Sequence, residues 1–299
     1  MKKRFAILLL QVLFTSAVLA QNNDSLFSRL QAIINNGTSF FNVDGIEITS
    51  QNINAAFSKK PILKAFKRFG IKEADLTTAD SSIQAPNFIV SKLETITEGT
   101  IQYTAYYFIE NANKEITAIT FAYINKTDNP FEHHFISLLL NNQIPASLYA
   151  AISIDSINFS GRKIRLGSSC RWMGINNVQC PYYGQMNWSV HQTLEDAAQS
   201  VHNQYTVITM KRGGKIISED SVDVIFEGHA VKAKKAVYDF KGIKSLLVGM
   251  SGGKTLTIYF VASPAAKNFV SCVMSFWNND SIGTNGLPAL LEEVMQLKK

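Results

Sequence analysis

Phe88-Ile89-Val90-Ser91-Lys92-Leu93-Glu94-Thr95-Ile96-Thr97, Ile101-Gln102-Tyr103-Thr104-Ala105-Tyr106-Tyr107-Phe108-Ile109 and Ile116-Thr117-Ala118-Ile119-Thr120-Phe121-Ala122-Tyr123-Ile124 are three consecutive strand-like runs. Their β-branched and aromatic residues suit a pleated, half-buried surface. Only Glu98-Gly99 and Asn111–Lys114 separate them. Connections that short join antiparallel neighbours, whereas parallel strands need a crossover of a dozen residues or more. The meander therefore predicts an α+β fold with an antiparallel sheet.

Upstream of it, Leu26, Phe27, Leu30, Ile33 and Ile34 recur at helical spacing, which predicts a helix over Ser25–Asn35 capped by Asp24 or Ser25. Phe40–Ile48 reads as a strand. Gln51–Phe69 reads as a helical region restarted at Pro61. Its second part is amphipathic, with Ile62, Leu63, Phe66 and Phe69 opposite Lys60, Lys64, Lys67 and Arg68, and Gly70 suits its C-terminal cap. Downstream, Pro130 opens a helix to about Asn141.

A second block follows the same plan. Ile152–Phe159, Lys163–Leu166 and Gln185–Val190 are strand candidates, and Thr193 with Asp196 forms a capping box for a helix over Leu194–Val201. Tyr205–Met210 and Lys215–Phe226 read as strands around an Arg212-Gly213-Gly214 hairpin turn. Val231–Phe240, Ser245–Val248, Thr255–Val261 and Phe269–Trp277 extend the strand series, and Pro288 opens a last helix, Ala289–Leu297. One constant separation relates Phe88 to Phe240, Tyr107 to Tyr259 and Phe108 to Phe260. The expected architecture is α+β in two tandem domains, 21–150 and 151–299, each a mainly antiparallel sheet packed against helices.

Residues 1–20 read as a secretory signal peptide. Lys2-Lys3-Arg4 is a cationic start, Phe5–Leu19 an apolar run, and Val18-Leu19-Ala20 supplies short residues for cleavage after Ala20. The run is shorter than the roughly 20 apolar residues that span a bilayer. Later apolar patches such as Phe135–Leu140 are core-sized, so no membrane-spanning segment is expected after cleavage. The expected location is periplasmic or secreted. The signal carries three basic and no acidic residues, so removing it lowers the net charge from +6 to +3. Nucleic-acid binders carry a clustered basic footprint, and none is expected here. With 46% hydrophobic and 17% charged residues, the chain can bury full cores.

Export also decides the cysteines. Cys170 and Cys180 flank a turn-prone segment and are expected to form a disulfide in an oxidising compartment. Cys272, in an apolar run, is expected to be a buried free thiol.

Several motifs look chemical. Ser251-Gly252-Gly253-Lys254-Thr255 lacks the leading glycine of a phosphate-binding loop, and a strand pattern follows where that loop needs a helix. It reads as a glycine-rich hairpin turn. Glu132-His133-His134 are adjacent on a helix and so point about 100° apart. His191, Glu195 and His202 form the most metal-like set, yet Thr193 as cap puts His191 outside the helix, so no metal or other cofactor is expected. His229 reads as a turn residue. No Gly-x-Ser-x-Gly occurs, and Asp44, Glu47, Asp155, Asp223 and Glu227 are the carboxylates available for acid–base work.

Two features point to recognition. Trp172, Tyr182, Tyr183 and Trp188 surround the expected disulfide, where amphipathic aromatics suit a sugar face or partner surface; packing beside the disulfide is the structural alternative. The Ile62–Phe69 helix has a basic side that fits an anionic surface or plain solvent. The expectation is an exported, non-catalytic binding or interaction module for an envelope protein, a glycan or a lipid. The alternative is a secreted hydrolase whose site assembles only in three dimensions.

Overall fold

The meander forms as the short turns require. The computed structural model describes residues 25–150, 155–167, 169–211, 214–240 and 253–298. Residues 1–20, expected to be a signal peptide, Arg212-Gly213 of the expected hairpin turn, the Ser245–Val248 strand candidate and Ser251-Gly252 lie outside that set. In the first sheet β1 is Gln31–Asn35, β2 Thr38–Val43, β3 Ile46–Ala56, β4 Asn87–Thr97, β5 Thr100–Glu110, β6 Glu115–Ile124 and β7 Tyr149–Ala150. Their spatial order is β4-β5-β6-β3-β2-β1-β7, antiparallel throughout except for the short β1–β7 pair.

Alternation along each strand gives this sheet two differently covered faces. Phe41, Ile48, Ile119 and Phe121 lie under Phe135 and Leu138 of α2 (Asn129–Leu140). Tyr106, Phe108 and Ile116 lie under Ile62 of α1 (Lys59–Ala65) and Phe66, which caps its C-terminal end. Burying one such side chain contributes about 1.5–3 kcal/mol. α1 covers only part of its face; the rest, around Glu47, Ala122 and Ile124, opens toward the second sheet.

That sheet is built from β10 (Arg171–Gly174), β11 (Asn177–Cys180), β12 (Gly184–His191), β13 (Gly214–Phe226), β14 (His229–Phe240), β15 (Thr255–Ala265), β16 (Asn268–Trp277) and β17 (Met295–Leu297). Its order is β10-β11-β12-β16-β15-β14-β13-β17. One face packs Met186, Trp188 and Met274 against Phe159 of the hairpin β8 (Ser156–Phe159)–β9 (Arg162–Arg165) and Leu291 of α4 (Ala289–Glu292). The other packs Ile258, Phe260 and Val273 against Val201, Tyr205 and Ile208 of α3 (Leu194–Lys211). Thr193 caps α3: its Oγ1 accepts from the Asp196 amide at 3.1 Å and donates to the Asp196 carboxylate at 2.7 Å. The whole is α+β, with two antiparallel-dominated sheets and helices packed on them. Tyr107-Phe108 and Tyr259-Phe260 both lie mid-sheet with Tyr and Phe in different cores, but Phe88 starts β4 whereas Phe240 ends β14.

Five elements differ from expectation. The predicted 25–35 helix is a helical turn at 25–29 followed by β1, because Asn36-Gly37 (φ 48° and 75°) forms a tight hairpin turn to β2. Phe40–Ile48 is not one strand but parts of two, since Asp44-Gly45 (φ 52° and 76°) turns the chain there. The helix expected from Gln51 begins only at Lys59, because β3 sits mid-sheet and its ladder with β6 runs on to Ala56. Tyr205–Met210 is helical, so Gly214 follows a helix and not a strand; the apolar stripe Val201, Tyr205, Ile208 outweighs β-propensity. The last helix stops at Glu292, and Met295–Leu297 pairs with β13.

Cys170 and Cys180 form a disulfide tying the base of the β10–β11 hairpin, and such bonds persist in an oxidising, extracytoplasmic compartment. Cys272 is buried and free, and burial pushes its thiol pKa up. Among the described residues no helix is long and apolar enough to cross a membrane.

Candidate functional site between the sheets

The tip of the β2–β3 hairpin joins the two sheets. The Asp44 amide donates to the Val190 carbonyl at 2.9 Å, and the Gln192 amide donates to Asp44 Oδ1 at 2.9 Å. Arg29 grips the same carboxylate with two nitrogens, Nε at 2.9 Å and Nη2 at 3.0 Å. Gly45 lies so near that a Cβ there would come within 3.3 Å of the His191 ring. His191 is fully buried on β12, its Nε2 2.8 Å from Ser271 Oγ. Burial lowers its pKa from 6.5 to about 4, against a partial opposing pull from Asp44.

Beside this clasp a cleft of about 620 Å³ runs between the sheets, with α3 as its third wall. Small-molecule sites fall in the range of about 300–1,000 Å³. Its lining is rich in carboxamides. Asn42 and Gln102 come from the first sheet; Asn177, Gln185, Asn187 and the β10–β11 turn residue Asn176 from the second; Gln199, Asn203 and Gln204 from α3. Some pair with each other, as Gln199 Nε2 does with Asn203 Oδ1 at 2.9 Å. Two do not. Asn42 is 5% exposed and its Oδ1 has no partner; Asn176 is 3% exposed and neither end of its amide has one. Buried polar groups are almost always paired, so each exception asks for an explanation.

Among the described residues four charged side chains line the cleft: Asp44, Glu47, Lys126 and Asp196. Asp44 is held by Arg29, and Lys126 lies 4.0 Å from Asp196. Glu47, directly across the β2–β3 ladder from Asn42, has no hydrogen-bond or ion-pair partner. Water reaches its side chain, yet protein surrounds it on most sides, and that loss of bulk solvation raises its pKa.

The other candidates disperse. Trp188 is 1% exposed, in the second core beside Phe159 at 5.6 Å, while Trp172 is half-buried on the edge strand β10. Tyr182 and Tyr183 are exposed on the turn after the disulfide. The four do not make one surface. Asp223 pairs with Lys232, Glu227 with Arg162, and Asp155 stands exposed before β8, so of the five candidate carboxylates only Asp44 and Glu47 reach the cleft. His191 lies on β12 while Glu195 and His202 lie on α3. His133 pairs with Asp80 at 2.6 Å, whereas its neighbour Glu132 is buried and accepts from Tyr107 Oη at 2.6 Å. His229 opens β14 after the Glu227-Gly228 turn. Sequence reading missed Asn42, Asn176 and the α3 amides, because isolated Asn and Gln are the ordinary currency of turns and wet surfaces.

No family model matches the chain, and no curated protein matches it. Among solved structures it is similar to DynU16, a protein of the dynemicin biosynthetic locus, at 7% identity over 87% of this chain and 80% of that one, with a TM-score of 0.18. It is also similar to the di-domain ARO/CYC StfQ from the steffimycin biosynthetic pathway, at 8% identity over 83% of this chain and 73% of that one, with a TM-score of 0.16. At such scores neither likeness carries an argument.

Proposed function

We propose that this chain is an exported, non-catalytic binding protein of the periplasm or extracellular space, cleaved after Ala20, whose ligand lies in the cleft between the sheets. Export is supported by the order of cationic, apolar and short residues at the N-terminus and by the disulfide. The observation that carries the binding reading is the pair Asn42 and Asn176, buried amides without partners that line one cleft from opposite sheets. An unpaired buried amide costs about 1–3 kcal/mol; a bound ligand that supplies its hydrogen bonds offsets that penalty. Binding is preferred over hydrolysis because Asp44 and Asp196 already have protein partners, and a lone Glu47 does not make the acid–base pair that carboxylate hydrolysis uses. Tyr182 and Tyr183 offer a separate exposed contact for an envelope protein or glycan.

The test is native mass spectrometry of the protein purified from the envelope of its own cells. A bound small molecule is expected on the natural protein and absent from Asn203→Trp, which fills the cleft from α3. An adduct retained by that variant, or none on either protein, overturns the reading.

A further inference from the structure

Resting on the cleft being the binding site, we propose that its ligand is a short peptide with a free amino terminus, whose ammonium group sits at Glu47. Among the described residues the charges lining the cleft are three carboxylates and one ammonium, a net negative set. Charge complementarity then disfavours anions and favours a cation. Asp44 and Asp196 are engaged, which leaves Glu47 as the one of the four without a partner.

The neighbours of Glu47 extend the match. Asn42 faces it across the ladder and offers an unpartnered Oδ1, an acceptor waiting for an N–H. Directly opposite residues stand about 4.5–5.5 Å apart, and successive peptide residues step about 3.8 Å. An ammonium at Glu47 therefore brings the next peptide N–H to Asn42. From the opposite wall, Asn176 presents an N–H donor and a carbonyl acceptor together, the complement of one peptide unit. A sugar could also satisfy amides, but among the described residues the two aromatic ones along this cleft, Tyr123 and Trp188, are packed into the cores at 1% exposure each, so neither offers a ring face for a sugar to rest on.

The full exported protein is dialysed against three probe pools: di- to tetrapeptides with free amino ends, the same peptides acetylated at the N-terminus, and neutral oligosaccharides of similar mass. Retained molecules are identified by mass spectrometry. The free-amine pool is expected to be retained at least tenfold more than the acetylated pool, and Glu47→Gln, a water-exposed position that leaves the fold intact, brings that ratio to near one. Equal retention of both peptide pools by the natural protein overturns the proposal. Retention of oligosaccharides alone, lost in Asn203→Trp, overturns the peptide assignment and leaves the cleft reading standing. If no pool is retained, the peptide assignment falls; the cleft reading falls with it only if the envelope-purified protein also carries no adduct.

Discussion

His191 shows how one buried ring sets the pH range of the fold. Its pKa in the folded protein is about 4 because burial disfavours the imidazolium, whereas an unfolded chain protonates it near 6.5. The unfolded state thus binds a proton that the folded state refuses. The stability contributed by neutral His191 is complete above about pH 6.5 and is lost as pH falls from there through about 4. Between pH 7 and 4.5 this amounts to about 2–3 kcal/mol. His191→Gln keeps a polar group near Ser271 and removes the titration, so urea melts at the two pH values should show a smaller loss by about that amount. Equal losses in both proteins would sink the idea.

At the scale of elements, the lesson concerns which local signals win. The β4–β5–β6 meander was readable because its turns are too short for anything else. Asn36-Gly37 and Asp44-Gly45 were equally readable hairpin signals, but the helix-like spacing of Leu26 to Ile34 masked the first. In the reverse error, β-branched Thr206, Val207, Ile208 and Thr209 suggested a strand where Val201, Tyr205 and Ile208 needed one helical face against the second sheet. The β10–β11 hairpin is a weaker element: two four-residue strands at a sheet edge, closed by Cys170–Cys180. Closing a loop of about ten residues stabilises by about 2–3 kcal/mol on the chain-entropy estimate. Cys170→Ser with Cys180→Ser should lower the unfolding free energy by that amount in denaturant titrations. An unchanged midpoint would mean that the strands alone hold the hairpin.

At the scale of the whole molecule, the site arises from segments far apart in the chain, which is why it escaped the sequence. Asn42–Glu47, Asn176–Asn187 and Gln199–Gln204 share no motif and meet where Asp44 fastens the first sheet to β12. Glu47 was on the list of carboxylates, but nothing in its neighbours announced that it would stand alone in a cleft. Breaking a fully buried ion pair costs about 3–5 kcal/mol, and the part-buried Arg29–Asp44 pair, its side chains 7% and 18% exposed, falls below that. Asp44→Asn tolerates the same turn and removes the charge. Calorimetry should then resolve two unfolding transitions in place of one, since the two sheets have separate cores. A single transition moved to lower temperature would show that α3 couples the sheets without the clasp.

The Cys170–Cys180 bond has a consequence for when the protein can carry anything. It fastens the hairpin whose turn brings Asn176 to the cleft, so reducing it would unfasten that wall. On the proposed function, loading would follow the bond, and the ligand would be drawn from the oxidising compartment in which the bond forms.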